Sequence, residues 1–458
     1  MARQEKSLRR HTTEQGQPLA LAELRAERTV LWQSRSSLFA KNLEGLSRDM
    51  TRFEQVLRRV RPLASAHRDD LAQAIVDLSH LLTQERADLA HPYWSNPRFV
   101  SAYLYYFLPW NLLRLTRLFA NLALPEPKGT QPLLLDLGSG PATVPLALFL
   151  AKPAWRRLPL HIVCHDRSQH VLRLGKALLA EAASLWQTPP WTVSLLASPM
   201  EQVAQRFLTR FDRRELFLVT QANVLNEVLN RKNRHQGLSQ AMLSAKAWDD
   251  EEQASLFEQR LEDFLEEIER LFADGPQHLL CLEPGTRLGG KIMMHLREKA
   301  RERDYLVDAP CPHNQACPLL QGPGLRTWCH YTMAAEALPQ WLEEITRQAR
   351  LEKHALSLAP LLLRKRAPAQ AQTEDSARIL SAAFAVPGLA GRARYACSRH
   401  GLLLLENAEH LASGDTVLLP RDLGRLRDRK SGALILPGAR QAEPAKNRAR
   451  HTGKRKKA

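Results

Sequence analysis

The stretch from Leu133 to Thr143 constrains the fold most strongly. It begins with three leucines, which predict a short strand buried on both faces, and continues into a turn that contains Gly138 and Gly140. An apolar segment, Val144 to Leu150, follows and predicts a helix. Glycines let the turn adopt conformations that a Cβ would block and let its backbone approach a ligand closely. A strand, a glycine turn and a helix in this order are typical of a nucleotide-binding βα unit.

The spacing of the glycines indicates which ligand the turn would hold. A dinucleotide fingerprint requires a third glycine where this chain has Thr143. The Asp-x-Gly-x-Gly pattern that begins at Asp136 instead resembles the first motif of class I methyltransferases, which bind S-adenosylmethionine. Asp136 ends its strand, where it could hold a positive end of the ligand. A second acidic residue should end the next strand and take the ribose hydroxyls, and Asp166 does so, 26 residues after Gly140.

Apolar strand patterns alternate with helical patterns through the middle of the chain, which predicts a parallel sheet covered by helices. The predicted strands are Leu133–Leu135, His161–His165, Thr192–Leu196, Leu216–Thr220 and His278–Leu282. The fold class is therefore α/β, with a Rossmann-like class I S-adenosylmethionine-dependent methyltransferase domain. We assign residues 98–366 to this domain, including a cysteine-rich loop at 305–332.

Polar residues follow the fourth predicted strand, at the sheet edge where open α/β domains bind ligands. They are Asn223, Asn226 and Glu227. The stretch lacks the Asn/Asp-Pro-Pro-aromatic signature of amino-group methylation, and it lacks a cysteine nucleophile for base-carbon methylation, so no catalytic residue is assigned. The predicted cofactor-binding residues are Asp136, Gly138, Ser139, Gly140, Asp166 and Asn223.

The flanking regions have different patterns. Residues 1–97 predict a helical N-terminal region, with one apolar stripe at Leu71, Ile75, Leu78 and Leu82. A low-complexity linker at 367–373 precedes residues 374–438. Short strands separated by Gly and Asp turns, at Tyr395–Leu405, Thr416–Leu419 and Leu434–Leu436, predict a small β module there. Residues 439–458 predict a basic, disordered tail.

Charge indicates the kind of partner. The net charge is +17, and residues 440–458 carry eight Lys and Arg against one Glu. This balance favours a polyanion such as RNA, although a tail of this kind can also serve only solubility. The chain has no apolar run long enough for a membrane span and no signal core, so we expect no membrane partner and a reducing, cytosolic setting.

Six cysteines in such a setting are not expected to form disulfides. Cys164 and Cys281 lie in predicted strands and read as buried apolar residues. The other four predict a four-thiolate metal site: Cys311, Cys317, Cys329 and Cys397. Their irregular spacing, and the prolines after the first two, favour a [4Fe–4S] cluster over paired zinc knuckles. Zinc stays an alternative, with His313, His330 and His400 as further donors.

Several motifs together resemble the methyltransferase-like mitochondrial small-ribosomal-subunit family, the Rsm22 proteins and their bacterial relatives. The motifs are Asp136–Pro141, Asp166–Ser168, Glu283–Thr286, Pro310–His313, Ala316–Pro318, Trp328–Tyr331 and Cys397. The resemblance covers roughly residues 90 to 430. It implies an S-adenosylmethionine-type fold, a [4Fe–4S] cluster on the four cysteines, and association with the small ribosomal subunit through its 16S-type rRNA. It points to a bacterial cytoplasmic member, or to a mitochondrial one if the source is a eukaryote.

Three hypotheses on function follow. The first is a ribosome-associated methyltransferase that acts on small-subunit rRNA in assembly or translation. The second is a non-catalytic assembly factor that uses the fold as a scaffold, which the missing catalytic signature supports. The third, a small-molecule methyltransferase, leaves the basic charge without a purpose.

Overall fold

A computed structural model describes residues 30–83, 93–225, 251–273, 277–320, 328–365, 375–387 and 391–439. The predicted linker at 367–373 and the basic tail beyond 439 lie outside the described residues, as do Asn226 and Glu227. The described chain forms two sheets, one in the middle of the sequence and one that joins its two ends.

The first sheet has eight strands in the order β4-β3-β2-β5-β6-β9-β7, with β8 paired to β9. Its strands are β2 (Leu133–Leu137), β3 (His161–Asp166), β4 (Thr192–Ala197), β5 (Leu216–Ala222), β6 (Gln277–Pro284), β7 (Tyr305–Ala309), β8 (Tyr331–Ala334) and β9 (Ala355–Lys365). The five strands predicted from the sequence are β2 to β6, and all pair in parallel. This confirms the predicted parallel sheet.

β9 inserts antiparallel between β6 and β7 and pairs with both of them. Its eleven residues include the apolar run from Leu358 to Leu363, which pairs along β6 from Pro284 to Leu279. The sequence analysis did not predict β7, β8 or β9. Each of these strands pairs with a strand elsewhere in the chain, and the local sequence pattern does not indicate that pairing.

Helices cover both faces of the first sheet because its strands are apolar on both sides. Leu134 packs in one core cluster and its neighbour Leu135 in the other. The helices are α1 (Glu44–Val60), α2 (Ser65–Asp69), α3 (Leu71–Thr83), α4 (Pro97–Ala102), α5 (Leu108–Asn121), α6 (Thr143–Ala151), α7 (Gln169–Trp186), α8 (Val203–Leu208), α9 (Glu251–Leu271), α10 (Arg287–Glu302) and α11 (Gln340–Gln348). A π-helix, Tyr103–Phe107, joins α4 to α5. None of the described helices is long and apolar enough to cross a bilayer.

The second sheet has the order β1-β14-β10-β12-β13-β15, with β11 paired to β12. Its strands are β1 (Ser36–Ser37), β10 (Ser376–Ile379), β11 (Phe384–Ala385), β12 (Arg392–Ser398), β13 (Gly401–Leu405), β14 (Asp415–Leu418) and β15 (Leu434–Leu436). The predicted strands near residues 395–405, 416–419 and 434–436 correspond to β12, β13, β14 and β15.

The N-terminal segment differs from the prediction of a helical region over residues 1–97. Residues 30–39 run extended along the second sheet, with β1 paired to β14 and Val30 bridged to Gly438. Trp32 is 1% exposed and packs into the core of this sheet, where its Nε1 donates a hydrogen bond to the Glu406 carbonyl at 3.0 Å. This segment extends because its apolar residue Trp32 is buried against the distant sheet, and the first helix that follows it begins at Glu44.

Candidate functional site

The glycine-rich turn leaves β2 at the carboxyl edge of the first sheet. Gly138 has φ of 61° and Gly140 has φ of 52°, so both lie in the left-handed region that favours glycine. A Cβ added to Gly138 would lie 2.3 Å from Cγ2 of Val224, which follows β5. The turn therefore requires glycine for its backbone conformation and for its contact with the end of β5.

Asp136 stabilises the glycine-rich turn through hydrogen bonds. It is 1% exposed, and it accepts hydrogen bonds of 2.6 Å from the hydroxyls of Ser139 and Thr220, one on each carboxylate oxygen. Burial raises the pKa of Asp136 to about 7, although the two hydroxyl donors act in the opposite direction. Each oxygen of Asp136 therefore has one partner within the protein, and the expected contact of Asp136 with a positive end of the ligand stays a prediction.

Asp166 lies beside the turn at the end of β3, as the sequence predicted. Its Oδ2 accepts a hydrogen bond from the Gly140 amide at 3.2 Å, and its Oδ1 accepts one from the Ser168 amide at 2.9 Å. The residue as a whole is half-buried. Asp166 and the glycine turn thus lie in contact at the carboxyl edge of the sheet.

Ala142, the N-cap residue of α6, also lies in the left-handed region, with φ of 61°. A non-glycine residue in this conformation carries strain, which the surrounding packing must offset. Ala142 is 1% exposed, so the packed turn holds it in place.

Asn223 follows β5 on the same edge and also has positive φ, 60°. Its backbone amide donates to the Leu282 carbonyl at 2.8 Å, and its Oδ1 accepts from the Arg114 guanidinium at 3.4 Å. Arg114 also donates to the Ser357 carbonyl at 3.2 Å, so it ties α5 to β5 and β9. Burial lowers the pKa of Arg114 to about 10, and the charge of Glu283 partly offsets this. The sequence analysis missed Arg114.

Aromatic side chains lie above the glycine turn. Trp94 Cζ2 is 3.8 Å from the position that a Cβ on Gly140 would take. The ring of Trp94 also contacts Tyr103 of the π-helix, with centroids 4.7 Å apart. Trp94 and the π-helical Tyr103 therefore lie next to the glycine turn, and π-helical turns are frequent at functional sites.

The four candidate metal-binding cysteines line one cavity of about 20 Å³. Cys311, Cys317 and Cys329 come from the loop between β7 and β8, and Cys397 comes from β12 of the second sheet. The cavity therefore lies between the two sheets. Burial raises the pKa of Cys317 to about 11, and it raises the pKa values of Cys329 and Cys397 further, with the neighbouring thiols adding to the effect.

Two arginines approach the cysteine cavity. Arg297 of α10 donates through Nε to the Cys311 sulfur at 3.2 Å. Arg378 of β10 donates to the carbonyl of Pro310, the residue before Cys311, at 2.7 Å. Neither arginine was among the predicted site residues.

The histidines proposed for a mixed zinc site differ in position. His313 is 1% exposed, and its Nε2 lies 3.8 Å from the Cys397 sulfur. His330 stacks on Trp328, and His400 contacts Asp375. Within the described ranges, no group of three or more His, Cys, Asp and Glu side chains is arranged to hold a metal ion.

The strand order, with one antiparallel strand between β6 and β7 and a glycine turn after β2, defines the class of this protein: it has the class I S-adenosylmethionine-dependent methyltransferase fold. Residues 254–382 match the family described as "Mitochondrial small ribosomal subunit Rsm22". This matched family is the one that the motifs of the sequence resemble, so the match supports that resemblance over residues 254–382. No curated protein matches the chain.

Several solved methyltransferases are similar in structure. A putative class I S-adenosylmethionine-dependent methyltransferase from Listeria monocytogenes is 10% identical, with 72% of this chain and 90% of that chain covered and a TM-score of 0.27. A methyltransferase from Thiobacillus denitrificans, solved with S-adenosyl-L-homocysteine, is 12% identical over 55% of this chain and 91% of that chain, with a TM-score of 0.27. A geranyl diphosphate C-methyltransferase from Streptomyces coelicolor A3(2) is 10% identical over 69% and 98%, with a TM-score of 0.27. The fold class rests on the strand order and not on these structures.

Proposed function

We propose that this protein binds S-adenosylmethionine at the glycine turn. The observation that carries the proposal is the hydrogen bond from the Gly140 amide to Asp166, which places a half-buried carboxylate against the turn at the carboxyl edge of the sheet. In this position Asp166 would accept hydrogen bonds from the ribose hydroxyls, while the close backbone at Gly138 and Gly140 would face the methionine portion. Photocrosslinking of radiolabelled S-adenosylmethionine to the full chain, with S-adenosylhomocysteine as competitor, tests this. Labelling that the competitor does not reduce would count against the site.

We propose further that the protein associates with the small ribosomal subunit through rRNA. The family match and the net charge of +17 support this. Phosphate contacts weaken as salt rises, so the protein should sediment with small subunits at low salt and leave them at high salt. Failure to cosediment at low salt would instead favour a small-molecule substrate. The cellular setting that fits the family is bacterial cytoplasm or a mitochondrion.

Whether the fold catalyses methyl transfer or serves as a scaffold is a second question. One observation favours a non-catalytic assembly factor: the Asn223 amide and side chain both bind groups of the protein. Incubation of small subunits with labelled S-adenosylmethionine distinguishes the two functions. Methyl transfer to rRNA would establish the enzyme, whereas cofactor binding without transfer would establish the scaffold.

The four cysteines are proposed to hold a [4Fe–4S] cluster. Their convergence on one cavity from two parts of the chain supports a shared metal centre. A single zinc ion with 2.3 Å bonds would draw its sulfurs to roughly 3.8 Å from one another. A cluster spaces its ligands more widely because each thiolate binds a different iron atom. The shared cavity and the irregular spacing of the four cysteines, which lack paired zinc knuckles, are the features that support a cluster over zinc.

Iron content of the anaerobically purified full chain tests the cluster. Cys397→Ser should lose iron because it removes one of the four ligands. Cys164→Ser is a matched control, because Cys164 is buried in β3 and does not line the cavity. Equal iron in both variants, or stoichiometric zinc in the unaltered chain, would contradict the cluster.

A further inference from the structure

Arg297 occupies an unusual position for an arginine. It is 2% exposed, on the inner side of α10, and it forms part of the wall of the cysteine cavity. Burying a charged group is costly unless several partners satisfy it. A guanidinium here therefore requires a set of acceptors, and the cysteine-rich loop provides them.

Each nitrogen of this guanidinium has a described contact. Nε donates to the Cys311 sulfur at 3.2 Å, and Nη2 donates to the carbonyls of His313 at 3.1 Å and Gln315 at 2.6 Å. Nη1 donates to the Glu298 carboxylate. The planar group thus fixes the path of the loop between Cys311 and Cys317 and points one N–H at a candidate metal ligand.

Arg378 of β10 brings a second, half-buried guanidinium next to the cysteine-rich loop. It donates to the carbonyls of Pro310 at 2.7 Å and Gly414 at 2.9 Å. On neighbouring strands Arg378 pairs directly with Cys397, so the second sheet presents a thiol and a positive charge side by side. A cluster with four thiolate ligands carries a net negative charge, and Arg297 in the cavity wall and Arg378 beside Cys397 place positive charge near it.

We infer that Arg297 is a positioning and charge-balancing residue for the metal centre on Cys311, Cys317, Cys329 and Cys397. This inference rests on the proposed cluster. An N–H donated to a ligating sulfur, together with a fixed positive charge, stabilises the more negative, reduced form of a cluster and raises its reduction potential. The planar guanidinium of Arg297, with its several N–H donors, also fixes the conformation of the loop that carries Cys311 and Cys317. The single ammonium of a lysine cannot make the same set of hydrogen bonds.

The test compares Arg297→Gln with Arg301→Gln in anaerobically purified full-length protein. Arg301 lies one turn further along α10 and donates to the Asn314 carbonyl at 2.7 Å, but it has no described contact with a sulfur. The measurements are the reduction potential, from a titration followed by visible absorbance, and the rate of iron loss to a chelator. Arg297→Gln should shift the potential to a more negative value and speed iron loss on the order of 10- to 100-fold, whereas Arg301→Gln should change both much less.

Arg297→Lys separates the two parts of the role and serves as the test if Arg297→Gln does not fold. It keeps the charge, so its potential should stay near that of the unaltered chain, but it lacks the planar guanidinium, so iron should leave faster. Potentials and iron-loss rates that match the unaltered chain in the Arg297 variants would overturn the role of Arg297 while leaving the cluster intact. An unaltered chain without iron would refute the cluster itself, and this role with it.

Discussion

Replacing Asp136 with asparagine should change how the stability of the protein depends on pH. Burial raises the pKa of Asp136 to about 7 from an ordinary value of 3.8. The folded state therefore binds this proton more tightly than the unfolded state. The stabilisation is fully present below the unfolded pKa, and it is lost as pH rises through the folded pKa. The difference of about three pH units corresponds to about 4 kcal/mol over the whole window.

Denaturant unfolding of both proteins at several pH values measures this effect. The free energy of unfolding of Asp136→Asn, minus that of the unaltered chain, should rise by about 1.4 kcal/mol per pH unit between about pH 5 and pH 7 and level off above. The altered hydrogen bonds of asparagine add an offset that does not vary with pH. A difference that stays constant from about pH 5 to pH 8 would refute the reasoning.

Asp212→Asn is a control with the opposite sign. The side-chain hydrogen bond from Arg214 lowers the pKa of Asp212 to about 2, so its contribution is present above the unfolded pKa and is lost only as pH falls through the folded pKa. Over about pH 5 to pH 8 this variant should differ from the unaltered chain by a constant amount.

Two further predictions concern packing and hydrogen bonding. Trp32→Ala should lower the free energy of unfolding by about 3–5 kcal/mol, because it empties a core position and removes the bond to the Glu406 carbonyl, whereas its exposed neighbour Leu31→Ala should cost less than about 0.5 kcal/mol in the same urea titration. Equal losses would contradict the buried position of the tryptophan. Thr220→Val should cost about 1–3 kcal/mol and raise the pKa of Asp136 further, because it removes one hydroxyl donor. Its stability should then keep falling with pH to higher values than in the unaltered chain, and an unchanged pH range would argue against the Thr220 contact.

The central sheet could be predicted because its signals are local. Three leucines before a glycine turn, and acidic residues at the ends of β2 and β3, are readable without any partner. The hydrogen bonds that Asp136 makes within the protein could not be predicted, because one of its two partners, Thr220, lies on β5. The sequence does not show which hydroxyl donates a hydrogen bond to a carboxylate at a strand end, so such a carboxylate is interpreted as a residue that contacts a ligand.

The N-terminal segment could not be predicted for a similar reason. β1 has two residues and pairs with β14, near the other end of the chain. Nothing near Trp32 indicates the core that buries it. Short strands held only by distant partners leave no periodic pattern in the sequence.

Arg297 was missed although a signal existed. It lies in a stretch rich in Arg, Lys and Glu, from Arg297 to Arg303, that reads as a solvated helix face. However, it stands four residues after Met293, on the buried stripe of α10. A charged residue on the apolar stripe of a helix indicates that hydrogen-bond acceptors are buried beside it. Here the cysteine-rich loop provides those acceptors.

Isothermal titration of S-adenosylmethionine into the full chain tests the central claim most directly. One molecule should bind per chain, and Gly138→Ala should abolish binding, because its Cβ would lie 2.3 Å from Val224 and would strain the turn. Gly401→Ala is the matched control, since Gly401 also has positive φ, 111°, but has open space around it in the hairpin between β12 and β13. S-adenosylmethionine should bind to the unaltered chain and to Gly401→Ala, and it should not bind to Gly138→Ala. No binding to the unaltered chain, or equal binding to all three proteins, would contradict a cofactor site at the glycine turn.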